Sequence, residues 1–441
     1  MPTRRSGLAL RLAVLAVVLV LLCGASVVFV FVRYAPTLTG LEGSRGGAVG
    51  ASATPSGPRS PQPGDPPGVQ AAWMRAQVDT VLEEQAAALL RGDEQGFLAV
   101  ADAGDARLRA DLARRYRSLK ALQVTRWEPA VAALPRQQVG ADGRTEWVAR
   151  LSLRHCFAVP TCEESELRVE SRWVERDGRA YLVSLDTSGA NQNGPRPWEV
   201  ADLRVAVGTR VTVATTAKYA SRLPALLREA DRAAAVADRY AIGGVPDHYH
   251  LYFAGSAEWA QWYSGKRPAW AAGYAVPVSA TDIDVVLNAA QTPSNFVDDI
   301  MRHELSHAAS LRGARNKEGA WWLIEGLAEH AELHGQPARQ HDAVRSGAVR
   351  RFIRSGKWTG SVMITEPAAS ASAEEAAARY GIAFLVVRRL AERYGDAKLL
   401  SFVEAVVHHD ETPQAAAAQV FGVAWETVQA DCASYVRSTA G

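Results

Sequence analysis

Cysteine is scarce: the 441 residues hold four. That excludes a disulfide-built scaffold and any cysteine-rich zinc module. No excess of one charge sign is present either, because the net charge is +2. Nothing in that balance points to nucleic acid or to a strongly acidic partner. Lysine is far rarer than arginine, and alanine is abundant. This is the pattern of a GC-rich coding bias, so arginine clusters carry little weight as site evidence. Apolar residues are not in short supply. At 48% hydrophobic and 22% charged, the chain is ordinary for a folded protein, and wholesale disorder is excluded. Its length suits two or three domains with real cores.

One long apolar run is present. Residues 12–32 carry no charge and are nearly all Leu, Val, Ala or Phe. A helix of that length spans roughly 30 Å, the thickness of a bilayer core. Arg4, Arg5 and Arg11 precede it, so the positive-inside rule keeps residues 1–11 cytoplasmic. The expectation is a single-pass transmembrane helix in the cell membrane, with the remaining chain outside. A cleaved signal peptide is the rival reading, disfavoured by the length of the run and the lack of a clear A-x-A site. Leu22 stands before Cys23 where a lipoprotein signal wants a small residue, which argues against lipidation.

Residues 33–69 are dominated by Pro, Gly, Ser, Ala and Thr and read as a stalk. The helical period then begins: Val78, Val81, Leu82, Leu89 and Leu90 recur before Gly92 ends the run. A second helical stretch covers 105–122. At 147–157 and 167–185 the period changes to two, and Asp177-Gly178 signals a hairpin. Helices followed by long antiparallel strands imply an α+β unit at 70–190. Its element order, with RGDEQGFLAV after the first helix, resembles the nuclear transport factor 2-like cone fold, which hosts many functions. Cys156 and Cys162 flank a short loop between two strands. Outside a membrane they are placed to form a disulfide, and in a reducing compartment they stay as thiols. Residues 191–198 read as a second linker. Strands at 203–215, 248–254 and 282–289, a helix at 222–241 and helices beyond 294 then indicate a second α+β domain at 199–441.

His303-Glu304-Leu305-Ser306-His307 is an HExxH motif. The surrounding pattern is helical, so His303 and His307, four residues apart, share a face and aim two imidazoles at one metal. Glu304 stands beside the first ligand, where a general base for a water is needed. A catalytic zinc needs a third protein ligand, with a position left open.

Downstream runs WWLIEGLAEH, residues 321–330. HELSH followed by this segment resembles the gluzincin zinc metallopeptidases, and more narrowly the peptidase MA-like group, whose pattern is HELxH and then WLxEGxAE. The resemblance implies Glu325 as the third Zn2+ ligand. It implies Glu329, one turn later, as a carboxylate holding a ligand histidine from behind. It also implies a Tyr or His from a later helix to hold the oxyanion. Tyr380 is the candidate, with Tyr394 and His341 as runners-up. His330 and His334 read as exposed histidines, and His248 and His250 as structural. Aminopeptidase N relatives carry a GAMEN-like motif that grips a free amine. Residues 273–288 hold no such Glu-Asn pair, which favours an endopeptidase. Strand 282–289 is the candidate edge strand for an extended substrate.

The expected fold class is therefore α+β: an N-terminal transmembrane helix, a cone-like α+β domain, then a mainly helical zincin-type α+β peptidase domain. The expected function is a membrane-anchored zinc metallopeptidase acting on extracellular or cell-envelope peptides or proteins. A zinc-containing binding or scaffolding module is the alternative. The expected partners are a peptide or protein substrate and, through the N-terminal helix, a membrane.

Overall fold

Two five-stranded sheets carry the architecture. The computed structural model describes residues 59–440, apart from 141–142, 161, 163–164, 187–192, 266, 269 and 316–318. Ser56–Gly441 form one compact unit. It is α+β, with 14 α-helices among the described residues.

The first half opens with helix α1 (Pro67–Arg91), which Gly92 stops in a left-handed conformation. Helix α2 (Ala106–Ala121) follows; the Asp105 carboxylate caps it by accepting the Leu108 amide at 2.9 Å. Then come β1 (Val124–Val131), β2 (Arg136–Val139), β3 (Thr145–Phe157), β4 (Ser165–Arg176) and β5 (Arg179–Asp186). They form an antiparallel sheet of order β1-β3-β4-β5, with β2 also on β3. Asp177 and Gly178 both have positive φ, 51° and 81°, the turn that matches the twist of the β4–β5 hairpin. Val78, Leu82 and Leu89 of α1 are buried with Trp173 and Leu182 of this sheet. Cys156 and Cys162 are joined in a disulfide, Cα to Cα 5.7 Å. Cys432 is a buried free thiol.

The second sheet contains β6 (Leu203–Val207), β7 (Val211–Thr216), β8 (Tyr249–Ala254), β9 (Gly273–Pro277) and β10 (Ile283–Asn288), in the order β6-β7-β8-β10-β9. Helix α3 (Leu223–Ala237) makes the crossover between the parallel strands β7 and β8. Alternation sorts this sheet's two faces. Tyr249, Leu251, Phe253, Val285 and Leu287 pack on α3 and on helix α4 (Val297–Ser310). Tyr252, Ala254 and Val286 face the other way and join the core of the first sheet. A third apolar core lies among helix α5 (Trp321–Glu332), helix α6 (Ala373–Tyr394) and the C-terminal helices. Gly326 of α5 is held against α6: a Cβ there would stand 2.5 Å from the Ala383 carbonyl oxygen. Only glycine permits that approach.

Three expectations need correction. The fold class expected with a transmembrane helix over 12–32 is corrected to α+β for the described residues, among which no helix is long and apolar enough to cross a membrane. Residues 1–11, the run itself and the stalk as far as residue 58 lie outside the described residues. Strand β10 is interior, between β8 and β9, so the edge strand is β9. Asn, Gly and Pro in 193–198 keep regular structure short but do not prevent packing. Arg196 and Trp198 are buried there, and Trp198 stacks edge-on against Trp127 and His155.

Candidate metal centre

Helix α4 carries the HExxH residues. Met301, Leu305 and Ala308, at helical spacing, bury one side against the second sheet. Asp298 and Asp299 in its first turn both pair with Arg302. The opposite side presents His303, Glu304 and His307, each less than 10% exposed. Helix α5 brings Glu325 across.

The three donor atoms form a nearly equilateral triangle. His303 Nε2 lies 3.2 Å from His307 Nε2. Glu325 Oε2 lies 3.3 Å from each of them. Tetrahedral zinc with bonds of about 2.0–2.1 Å spaces its ligands about 3.3–3.4 Å apart. The residues therefore fit such an ion without rearrangement. Burial works to raise the Glu325 carboxyl, but His307 and His303 outweigh it and hold the carboxylate well below its usual range.

Two carboxylates stand behind the first ligand. His303 Nδ1 is 3.3 Å from Glu332 Oε2 and 3.5 Å from Glu329 Oε1. Burial disfavours the His303 cation, yet Glu325, Glu332 and Glu329 raise its pKa well above the ordinary value. Glu329 in turn is bonded to His341, Nε2 to Oε2 2.5 Å. His341 Nδ1 accepts the Ala343 amide at 3.2 Å, so Nε2 bears the proton and donates to Glu329. The His341 ring stacks on Phe384 at 4.3 Å. The relay would hold His303 in one orientation, as carboxylate–histidine pairs do at metal sites. Among the described residues, His307 Nδ1 is buried without a partner.

Glu304 lies against the edge strand. A Cβ on Gly273 would stand 2.5 Å from Glu304 Oε1, so the strand backbone passes directly over the carboxylate. Burial pushes the Glu304 carboxyl up, and His303 and His307 pull it back in part. Tyr380 of α6 stands opposite, its ring 6.3 Å from His303 and edge-on to Trp270 and Trp321. Burial, then Glu325, raises its hydroxyl well above the usual value, so it stays a hydrogen-bond donor. A cavity of about 330 Å³ opens between the strand and α6, lined by Trp270, Gly273, Ile300, Ala376, Ala377 and Tyr380 among others.

The structure thus brings together His303, Glu304, His307, Glu325, Glu329 and Tyr380. The runners-up for the oxyanion role are placed otherwise. Tyr394 stacks on Phe421 at 4.1 Å in the helical core, and His341 is committed to Glu329. His330 is not exposed as expected; it is buried edge-on to Tyr240. His334 is half-buried beside Arg239 and Tyr240. Two residues escape sequence reasoning. Glu332 follows Glu325 by seven positions, two helical turns on one face, and that spacing is the signal that locates it. Gly273 has no local signal, because its role comes from a strand crossing a distant helix. No protein-family model matches the chain, and no curated protein matches it.

Proposed function

We propose that the chain is a zinc-dependent endopeptidase of the gluzincin kind. The observation that carries this reading is the triangle of His303, His307 and Glu325 donor atoms, 3.2–3.3 Å on a side, with a buried carboxylate, Glu304, next to it. A zinc ion held there supplies Lewis acidity to a water and to the scissile carbonyl. Glu304 takes a proton from the attacking water as the C–O bond forms and then passes it to the leaving amine as the C–N bond breaks. The Tyr380 hydroxyl donates a hydrogen bond to the oxygen that gains charge. An extended peptide pairs along β9, and the neighbouring cavity takes an apolar side chain against Trp270, Ile300 and the alanines of α6. The second sheet offers no Glu-Asn pair to grip a substrate amine, which favours internal bonds over terminal ones.

The test is cleavage of a mixed peptide library by the full chain and by Glu304→Gln, with zinc counted in both. Cleavage by the parent, and its loss in a variant that keeps one zinc per chain, is the expected result. If the zinc-loaded parent cleaves nothing, the chain is a zinc-containing binding module instead. If Glu304→Gln cleaves as fast as the parent, the assigned base is wrong.

A further inference from the structure

A second polar cluster lies between the two sheets, and the chemistry above does not use it. His250 of β8 and Asp284 of β10 are register partners in a parallel pair. Their side chains therefore stand side by side on the face that meets the first sheet. Asp282 stands two residues earlier, just before β10 begins at Ile283. One ligating atom of each of the three lies within 4.8 Å of the other two. His250 and Asp284 are only 8% and 5% exposed.

Both carboxylates are oriented from outside the trio. The Tyr263 hydroxyl donates to Asp284 Oδ2, and the Ser165 hydroxyl donates to Asp282 Oδ2. Asp284 Oδ1 is 3.7 Å from His250 Nδ1, too far for a hydrogen bond. Among the described residues, His250 Nε2 is buried and has no partner. A cavity of about 40 Å³ opens among these groups, and roughly 10–15 Å³ suffices for a water-sized occupant. Arg196 is also buried here, but it bonds His155 Nε2 and the Glu166 and Val278 carbonyls. Arg312 lines the same cavity and bonds the Thr281 and Gly244 carbonyls. A buried carboxylate beside a half-buried one, together with a buried imidazole nitrogen that has no hydrogen-bonded partner, is costly unless something completes the group.

We propose that His250, Asp282 and Asp284 form a second metal site, structural rather than catalytic, for a divalent transition cation of the zinc type. An imidazole nitrogen with two carboxylates selects such an ion over magnesium or calcium. Ser165 belongs to β4 and its hydroxyl orients Asp282, so the first half helps to set a site whose ligands come from the second. Hydrogen-bonded carboxylates of this kind are how proteins aim ligands at a metal.

The test uses the full chain carrying His303→Ala and Glu325→Ala, which removes the first site from the count. Stripped of metal and then equilibrated with zinc chloride, this background should retain about one zinc per chain after gel filtration, and its melting temperature should rise with added zinc. Adding Asp284→Asn should abolish both effects. If that variant does not fold, Ser165→Ala replaces it. Losing the hydroxyl that aims Asp282 should weaken zinc binding on the order of tenfold. No bound zinc in the parent background overturns the proposal. So does zinc retention that Asp284→Asn or Ser165→Ala leaves unchanged. Peptidase activity enters neither readout, so failure here and failure of the proposed enzyme function are separate results.

Discussion

Gly273→Ala is a one-methyl change that tests the contact between the edge strand and the base. The new Cβ would stand 2.5 Å from Glu304 Oε1 and 2.7 Å from its Cγ. Ordinary contacts begin near 3.4 Å, so the carboxylate or the strand must give by about 0.7–0.9 Å. Glu304 is only 6% exposed and has little room to retreat, so the displacement falls on the proton-accepting oxygen or on the strand that aligns the peptide. A misplacement of about 1 Å costs on the order of 100-fold in rate, which is about 2.7 kcal/mol of barrier. The three atoms nearest the methyl all belong to Glu304 and none to the triangle, so metal content should hold. The assay is kcat on the best library peptide, with zinc per chain and melting temperature measured on the same preparation. A variant with full zinc and a kcat within threefold of the parent would refute the close approach of β9 to a working base.

Other outcomes follow from the same geometry. Glu329→Gln should weaken zinc affinity about 10- to 100-fold, read by competition with a chromogenic chelator; unchanged affinity would leave Glu332 as the carboxylate that matters. Tyr380→Phe should lower kcat on the order of 100-fold with little change in KM, and a pure KM effect would assign the ring to binding alone. His330 gives a pH test. Burial, then the Arg388 charge, lowers its pKa to about 4, against about 6.5 in the unfolded chain. The unfolded state therefore binds the extra proton first, and stability is full above pH 6.5 and lost as pH falls toward 4. Between pH 8 and pH 5 the loss comes to about 2 kcal/mol. Urea unfolding of the parent should show it, and His330→Gln should flatten that slope; equal slopes would sink the assignment.

Local periodicity made much of this molecule legible. His303 and His307 needed only a helix, because their convergence is set by a spacing of four. Glu325 was reachable through the resemblance of its segment, and its distance from His307 in the chain is bridged by a loop that carries no period. The Asp177-Gly178 turn was legible because positive φ selects those residues. What stayed hidden depends on contacts between distant segments. Strand β9 is five residues long and ends in Pro277, too short to declare an edge, whereas β10 carries the unbroken apolar run Val285-Val286-Leu287 that suits an interior strand. His330 shares a helix with Glu325 and His334 lies just past its end, and both meet Tyr240, which arrives from before β8. Trp198 sits in a stretch whose composition says linker, and only the meeting of two sheets makes it core.

That meeting bears on how the halves of the chain are inherited. Tyr252, Ala254, Trp262 and Val286 belong to the second half, yet they are 0–1% exposed within the core of the first sheet. A polypeptide starting at residue 199 would open that apolar face to water and leave His250 and Asp284 against solvent. Shuffling the second half alone into another gene would carry a sticky, charge-pocked surface with it. The two halves form one heritable block, and a nick in the connection between them would yield two fragments that remain associated.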